Sequence, residues 1–368
     1  MSVSQFCVFC GKAPESKNKE HVLPQWLLNL TGDPNRVVNF GINYKTGKVV
    51  RFAWKSLVMP ACEACNTEFA SLECSIKPVI ERLLDRCGVS VLEYGMVLDW
   101  LDKVRVGLWL NYHILQGNPM GIEPSFYVKD RMRQKDRFLA VYPIAENSKG
   151  LNAHGVESFA FHLEPSAFSL RINNIHIVNC SSDYLFSSRC GFPYPESARL
   201  NIDGENAGKM ELGEFKSTRK IKTPLLRFTL FKPSVYLFQP IVQVGVDMGD
   251  GVGMLKLDSD VVEYLKVNTD VGSRFKVGKI FRQYKSSVVR IDDVSALVEF
   301  DSIKGTESVS VARIVAQVYE LQLYLRSLCI PFSQSLSVRS AWEAREKLIK
   351  QDGKRKIKNF LSGPQSRV

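Results

Sequence analysis

The chain has 368 residues, 45% of them hydrophobic and 24% charged, and Lys plus Arg (49) outnumber Asp plus Glu (38) for a net charge of +11. This length predicts two or three domains, and the composition excludes a chain disordered throughout. The positive surplus favours a polyanion as partner and argues against an acidic, solvating protein.

The first ten residues, MSVSQFCVFC, lack the basic flank and long apolar stretch of an export signal. No apolar run reaches the roughly eighteen residues of a membrane span. The expectation is a cytoplasmic protein with no membrane partner. In chain order, 1–87 is read as a cysteine-bearing module, 88–120 as a helical connector, and 121–368 as a β-rich recognition or assembly domain closed by helices. Within the first part, VVRFAWKSLV (49–58) has strand character. From Cys62 to Arg86 the apolar positions Phe69, Leu72, Ile76, Ile80 and Leu83 recur at helical spacing, with Pro78 as an expected kink.

Residues 88–120 are apolar on more than one face, as in a helix buried between neighbours, and Gly117-Asn118-Pro119 stops them. Beyond, FLAVYPI (138–144), SFAFHL (158–163), FSLRI (168–172), IHIVNC (175–180) and VYLFQPIVQVGV (235–246) read as strands. Asn173-Asn174 is a hairpin signal. The glycine-rich 247–256 reads as a turn, because no Gly-Lys-Ser/Thr follows it. Helices are expected near 307–327 and 338–351, with a frayed basic tail after them. The fold class is therefore α+β.

Nine cysteines are present, four of them in Cys7-x-x-Cys10 and Cys62-x-x-Cys65. Two such pairs place four thiolates tetrahedrally around Zn²⁺. The second pair opens a helix, whose terminal amides favour the thiolate form. A redox reading is weaker, since neither pair sits in a strand-to-helix context of the thioredoxin kind. The other five cysteines read as scattered, mostly buried, small apolar residues.

Between the pairs lies Glu20-His21-Val22-Leu23-Pro24, and Asn66 follows Cys65 directly. This constellation resembles the HNH, or ββα-metal, endonucleases. With the later Leu72-Glu73, it is similar to a zinc-stapled subgroup often associated with bacterial anti-phage defence. The resemblance covers about the first 85 residues. It implies a hairpin-and-helix module, structural Zn²⁺ on Cys7, Cys10, Cys62 and Cys65, and phosphodiester hydrolysis in DNA. His21 is then the general base, suited by an imidazole pKa of about 6.5. Glu20 and Asn66 supply oxygen ligands to a catalytic Mg²⁺ or Mn²⁺. Glu73, seven residues after Asn66 and on nearly the same helix face, is a partner or further ligand. As strand neighbours, Glu20 and His21 point to opposite sides, so the resemblance implies a local distortion that brings both to one site. The residue that orients His21 is not placed by spacing. Asn29, Asn35, Asn39 and Asn43 all fall in the insert, and a backbone carbonyl could serve instead.

Lys129, Arg131, Arg133, Lys135 and Arg137 form a dense basic run, a candidate clamp on phosphates. A second basic cluster lies at Lys354-Arg355-Lys356. His113, His154, His162 and His176 have no companion at metal spacing and read as packing or surface. The expected function is metal-dependent cleavage of DNA, restrained by an activator or by assembly through 121–368. The competing expectation is a non-catalytic zinc module that binds nucleic acid or a protein partner, with homo-oligomerisation also placed in 121–368.

Overall fold

The computed structural model describes residues 7–13, 18–43, 46–115, 136–144, 149–182, 192, 194–205, 207, 210–216, 233–240, 279–284, 287–301 and 310–362. The fold is mixed α+β, with the cysteine cluster near its N-terminus. β1 (Asn18–His21) leads through α1 (Gln25–Leu30) to a ribbon of β2 (Val37–Ile42) and β3 (Val49–Ala53). A single 3-10 turn at Trp54–Ser56 then gives β4 (Val58–Ala61), which returns antiparallel beside β1. The expected strand over 49–58 is thus two strands broken at Trp54, whose ring is buried edge-on to Phe52. α2 (Glu63–Leu84) follows and runs through Pro78. Its apolar positions Phe69, Ile76, Ile80 and Leu83 are all buried, so the helical spacing read in the sequence is the buried face.

After β5 (Val89–Ser90), α3 (Val91–Leu115) forms the middle of the molecule. From Val97 to His113 nearly every side chain is buried. Gly107 is one reason it sits so close to the hairpin, because a Cβ there would lie 3.0 Å from both Met59 Cε and Val22 Cγ1. α3 also covers a seven-stranded antiparallel sheet. Its members are β6 (Asp136–Pro143), β7 (Leu151–His154), β8 (Ala167–Ile172), β9 (Ile175–Ser182), and, after shorter strands, β14 (Val235–Gln239), β15 (Phe281–Tyr284) and β16 (Ser287–Arg290), in the order β16-β15-β14-β6-β9-β8-β7. The shorter strands are β10 (Tyr194–Pro195), β11 (Ala198–Asn201), β12 (Met210–Leu212) and β13 (Phe215–Lys216).

Alternation along β6 explains the layering. Leu139 and Val141 join the core shared with α3, whereas Phe138, Ala140 and Tyr142 join a second core. The second core is closed by α5 (Val311–Leu328), through Ile314, Val318, Leu321 and Leu325. α6 (Leu336–Ser362) packs on α5. Two short strands complete the described elements: β17 (Leu297–Val298) against β5, and β18 (Ile330–Phe332) beside β11. Because both faces of the sheet are covered, its central strands are buried without alternation.

Two expectations are corrected. SFAFHL is a helix, α4 (Phe159–Leu163), because Ser158 caps it and accepts from the Phe161 N–H. The basic tail is helical to Ser362 rather than frayed, held by buried Ile349 and by Phe360 against Tyr319. The Asn173-Asn174 turn does join β8 to β9, with Asn173 at φ 49°. The stretch 247–256 lies outside the described residues. No helix among the described residues is long and apolar enough to cross a membrane.

Candidate metal centre

Three local structures bring the four sulfurs together. Cys7 to Lys12 is a tight knuckle, closed by Gly11 N–H to Cys7 O (2.8 Å) and Cys7 N–H to Lys12 O (2.8 Å). Gly11 holds φ 74° there, a conformation only glycine adopts cheaply. The knuckle is tied to the hairpin by Val8 N–H to Pro60 O (3.1 Å), and Cys62 is the residue that begins α2. The ligand atoms of Cys7, Cys10, Cys62 and Cys65 all lie within 4.8 Å of one another. Cys10 Sγ is 3.8 Å from Cys62 Sγ, close to the edge of a tetrahedron with Zn–S bonds of about 2.3 Å. The donor set and its spacing therefore fit Zn²⁺. The Cys65 backbone N–H holds the Cys62 thiol down at about 7, as expected where a helix starts. Burial pushes Cys10 and Cys65 up, so zinc uptake at neutral pH displaces protons.

Beside this centre the hairpin and helix do something the sequence did not announce. β1 pairs with β4 in unbroken register, Glu20 opposite Met59 and His21 opposite Val58. The distortion that would turn Glu20 and His21 to one site is absent, and the two side chains take opposite faces. The face of Glu20 and Met59 is buried beneath α3. There the ammonium of Lys103, itself fully buried, donates to both Glu20 Oε1 and Glu73 Oε1. It also lies 5.6 Å from the centre of the Phe69 ring. Glu20 and Glu73 are thus carboxylates of a buried ion triad, in which Lys103 supplies the positive charge at the oxygens that the resemblance gives to a cation or, for Glu73, to a partner. Glu73 does not pair with a surface cation. Burial lifts its carboxyl to about 7 against the lowering pull of Lys103.

His21 and Asn66 are half-buried. Neither side chain hydrogen-bonds to another described residue, and the candidates to orient His21 are engaged elsewhere or exposed. Asn29 accepts from Gln25, Asn35 accepts from Lys55, Asn43 accepts from the Thr46 N–H, and Asn39 is exposed on the ribbon.

No family model, characterised protein or solved structure matches the chain. The reading of the site therefore stands on its residues.

Of the proposed phosphate clamp, Lys129, Arg131, Arg133 and Lys135 lie outside the described residues. Arg137 is corrected. It is 1% exposed, within β6, and its guanidinium bonds Asp99 Oδ1 and Asp102 Oδ2 of α3, each at 2.7 Å. Its Nε donates to Gln239 (2.8 Å), while Arg105 bonds Asp102 (2.8 Å) and Asn179. Such an arginine holds the sheet to α3 and cannot reach a phosphate. The four remaining histidines lie in two neighbourhoods, His113, His162 and His176 buried and His154 half-buried, with ring centres 6.4 Å apart for His113 and His162 and 5.6 Å for His154 and His176. Burial pushes all four down in pKa. Among the described residues, the cysteines are the one group of three or more side chains spaced to hold a metal.

Proposed function

We propose that the chain is a zinc-stapled phosphodiester hydrolase of the HNH kind, acting on DNA. The observation that carries this reading is the union of knuckle, hairpin and helix at the four cysteines. It fixes the Glu20-His21 end of β1 and the Asn66 turn of α2 in one small unit. His21 is the base: its imidazole is partly solvent-exposed and uncommitted to any described side chain, so its ring nitrogens are open to an attacking water. The role given to a catalytic Mg²⁺ or Mn²⁺ is not matched by the carboxylates as arranged, because the Lys103 ammonium already lies on Glu20 and Glu73. That same pairing favours a second reading, a zinc module that binds nucleic acid or a protein without cutting.

The test is conversion of supercoiled plasmid to nicked or linear forms by the zinc-loaded full chain, with Mg²⁺ or Mn²⁺ added. The hydrolase reading expects cutting, and a loss of about 10²-fold or more in His21→Ala, the usual weight of a general base. Equal binding without cutting in both proteins would leave the non-catalytic reading in its place.

A further inference from the structure

The ribbon of β2 and β3 stands between the Glu20-His21 strand and the second cysteine pair. Residues 34–62 carry Arg36, Lys45, Lys48, Arg51 and Lys55, and no acidic residue. Strand alternation, with a β-bulge between Asn39 and Ile42, gives the ribbon two faces. Val38, Val50 and Phe52 face inward, with Phe52 joining the core. The outward face carries Val37, Asn39, Ile42, Val49 and Arg51, with Asn39 directly opposite Arg51. Val37, Ile42 and Val49 are 65%, 51% and 50% exposed. Lys48 is exposed at the start of β3. The Arg51 guanidinium makes no ion pair with a described residue, whereas Arg36 is held by Asp33 O and Leu28 O. Glu157 approaches the ribbon at Gly41, and its carboxylate is taken by the Tyr319 hydroxyl.

An exposed β-branched face with cations and no acids of its own is complementary to a polyanion. Two strands about 4.8 Å apart, with their side chains, suit a B-form major groove about 12 Å wide. An A-form RNA groove is too deep and narrow for them. Arginine and asparagine are also the side chains whose paired donors and acceptors match guanine and adenine edges.

We propose that the outward face of the β2–β3 ribbon is a DNA-binding surface that enters the major groove of a duplex, with Arg51 and Asn39 toward base edges and Lys48 toward phosphates. It deepens the hydrolase reading by supplying the surface that holds the substrate, and it rests on that reading for the choice of nucleic acid. Its test separates binding from cutting. A labelled random-sequence DNA duplex of about 20 base pairs, a length of some two helical turns, is titrated with the zinc-loaded full chain. Fluorescence anisotropy is read at several salt concentrations without Mg²⁺ or Mn²⁺, and a matching RNA duplex serves as competitor.

Lys48→Glu with Arg51→Glu is expected to weaken DNA binding at least ten-fold and to lower the salt slope by about two. Lys48→Gln with Arg51→Gln is expected to lower both by less. Unchanged zinc content and melting temperature show that each variant is folded. Arg339→Glu with Lys347→Glu, which places the same reversals on exposed positions of α6, is expected to bind as wild type. Wild-type affinity in the ribbon variants, an equal loss in the α6 variant, or competition by RNA as strong as by DNA overturns the proposal. If the ribbon variants lose binding but no preparation ever cuts, the hydrolase reading falls alone. If wild type cuts and the ribbon variants bind and cut equally well, the ribbon proposal falls alone.

Discussion

Replacing Lys103 by Met tests whether the triad with Glu20 and Glu73 holds the zinc module to α3. The ammonium is fully buried, and its partners are 5% and 8% exposed. Removing it leaves two carboxyls facing each other out of reach of bulk water. Breaking a buried pair by deleting one partner costs about 3–5 kcal/mol, and here one cation serves two anions. The pH dependence gives the sharper signature. The Glu73 carboxyl lies at about 7 in the fold against 4.5 when unperturbed. Because that value is raised, the group's contribution is full below pH 4.5 and is lost as pH rises through 7. That is a penalty of about 3 kcal/mol in the wild type at 1.4 kcal/mol per unit. Without Lys103, the chief influence lowering Glu73 is gone. The variant therefore goes on losing stability above pH 7, where the wild type has levelled off. Urea denaturation of the zinc-loaded chain is followed by tryptophan fluorescence, with Trp100 and Trp109 on α3 as reporters. It is expected to give a deficit of about 3–5 kcal/mol at pH 8.5, falling by half or more at pH 5.5. Adding Glu20→Gln and Glu73→Gln to Lys103→Met is expected to recover about 2 kcal/mol or more, since the uncompensated charge is then absent. A deficit under about 1 kcal/mol, or one equal at both pH values, would refute the assignment of the triad as a structural ion cluster.

Cys65→Ser is expected to release zinc and melt the first ninety residues or so, because structural zinc supplies a large share of folding energy. His21→Ala is expected to keep both metal and melting temperature, so that metal analysis beside a melting curve separates the two kinds of residue. Arg137→Met is expected to destabilise by about 3–5 kcal/mol, because Asp99 and Asp102 are left buried without their cation. If that variant melted as wild type and lost only nucleic-acid affinity, Arg137 would return to the surface role first read for it.

The metal centre was legible because the spacing of a metal ligand pair is a local property. Cys-x-x-Cys makes its own knuckle, and the second pair lies where β4 ends at Ala61 and a helix begins. The hairpin at Asn173-Asn174 and the buried face of α2 were legible for the same reason: turn chemistry and period act over a few residues. What was not legible depends on partners far along the chain. Lys103 meets Glu20 across 83 residues and Glu73 across 30, and no spacing rule links them. A signal was nevertheless present. Asp99, Asp102, Lys103 and Arg105 sit within a helix whose other residues are almost wholly apolar, and such charges must find partners inside. Arg137 was misread because it ends a basic run, while its own position already belongs to a strand covered on both faces. SFAFHL alternates as a strand does, but the Ser158 cap outweighs alternation over so short a stretch.

The charges of α3 also explain how the two halves of the molecule are joined. Asp99, Asp102 and Arg105 meet Arg137, Asn179 and Gln239 of the sheet, while Lys103, about 100° further round the helix, meets Glu20 and Glu73 of the zinc module. Gly107, one turn beyond Lys103, lets Met59 and Val22 approach on that second side. Apolar contacts alone would allow α3 to slide or rotate between its neighbours, since the hydrophobic effect has no direction. Ion pairs buried on two faces allow one register, because a shift of even one residue strands a charge at a cost of several kcal/mol. In this arrangement, the sheet dictates where Lys103 stands, and Lys103 dictates where the Glu20 strand and the Glu73 helix meet.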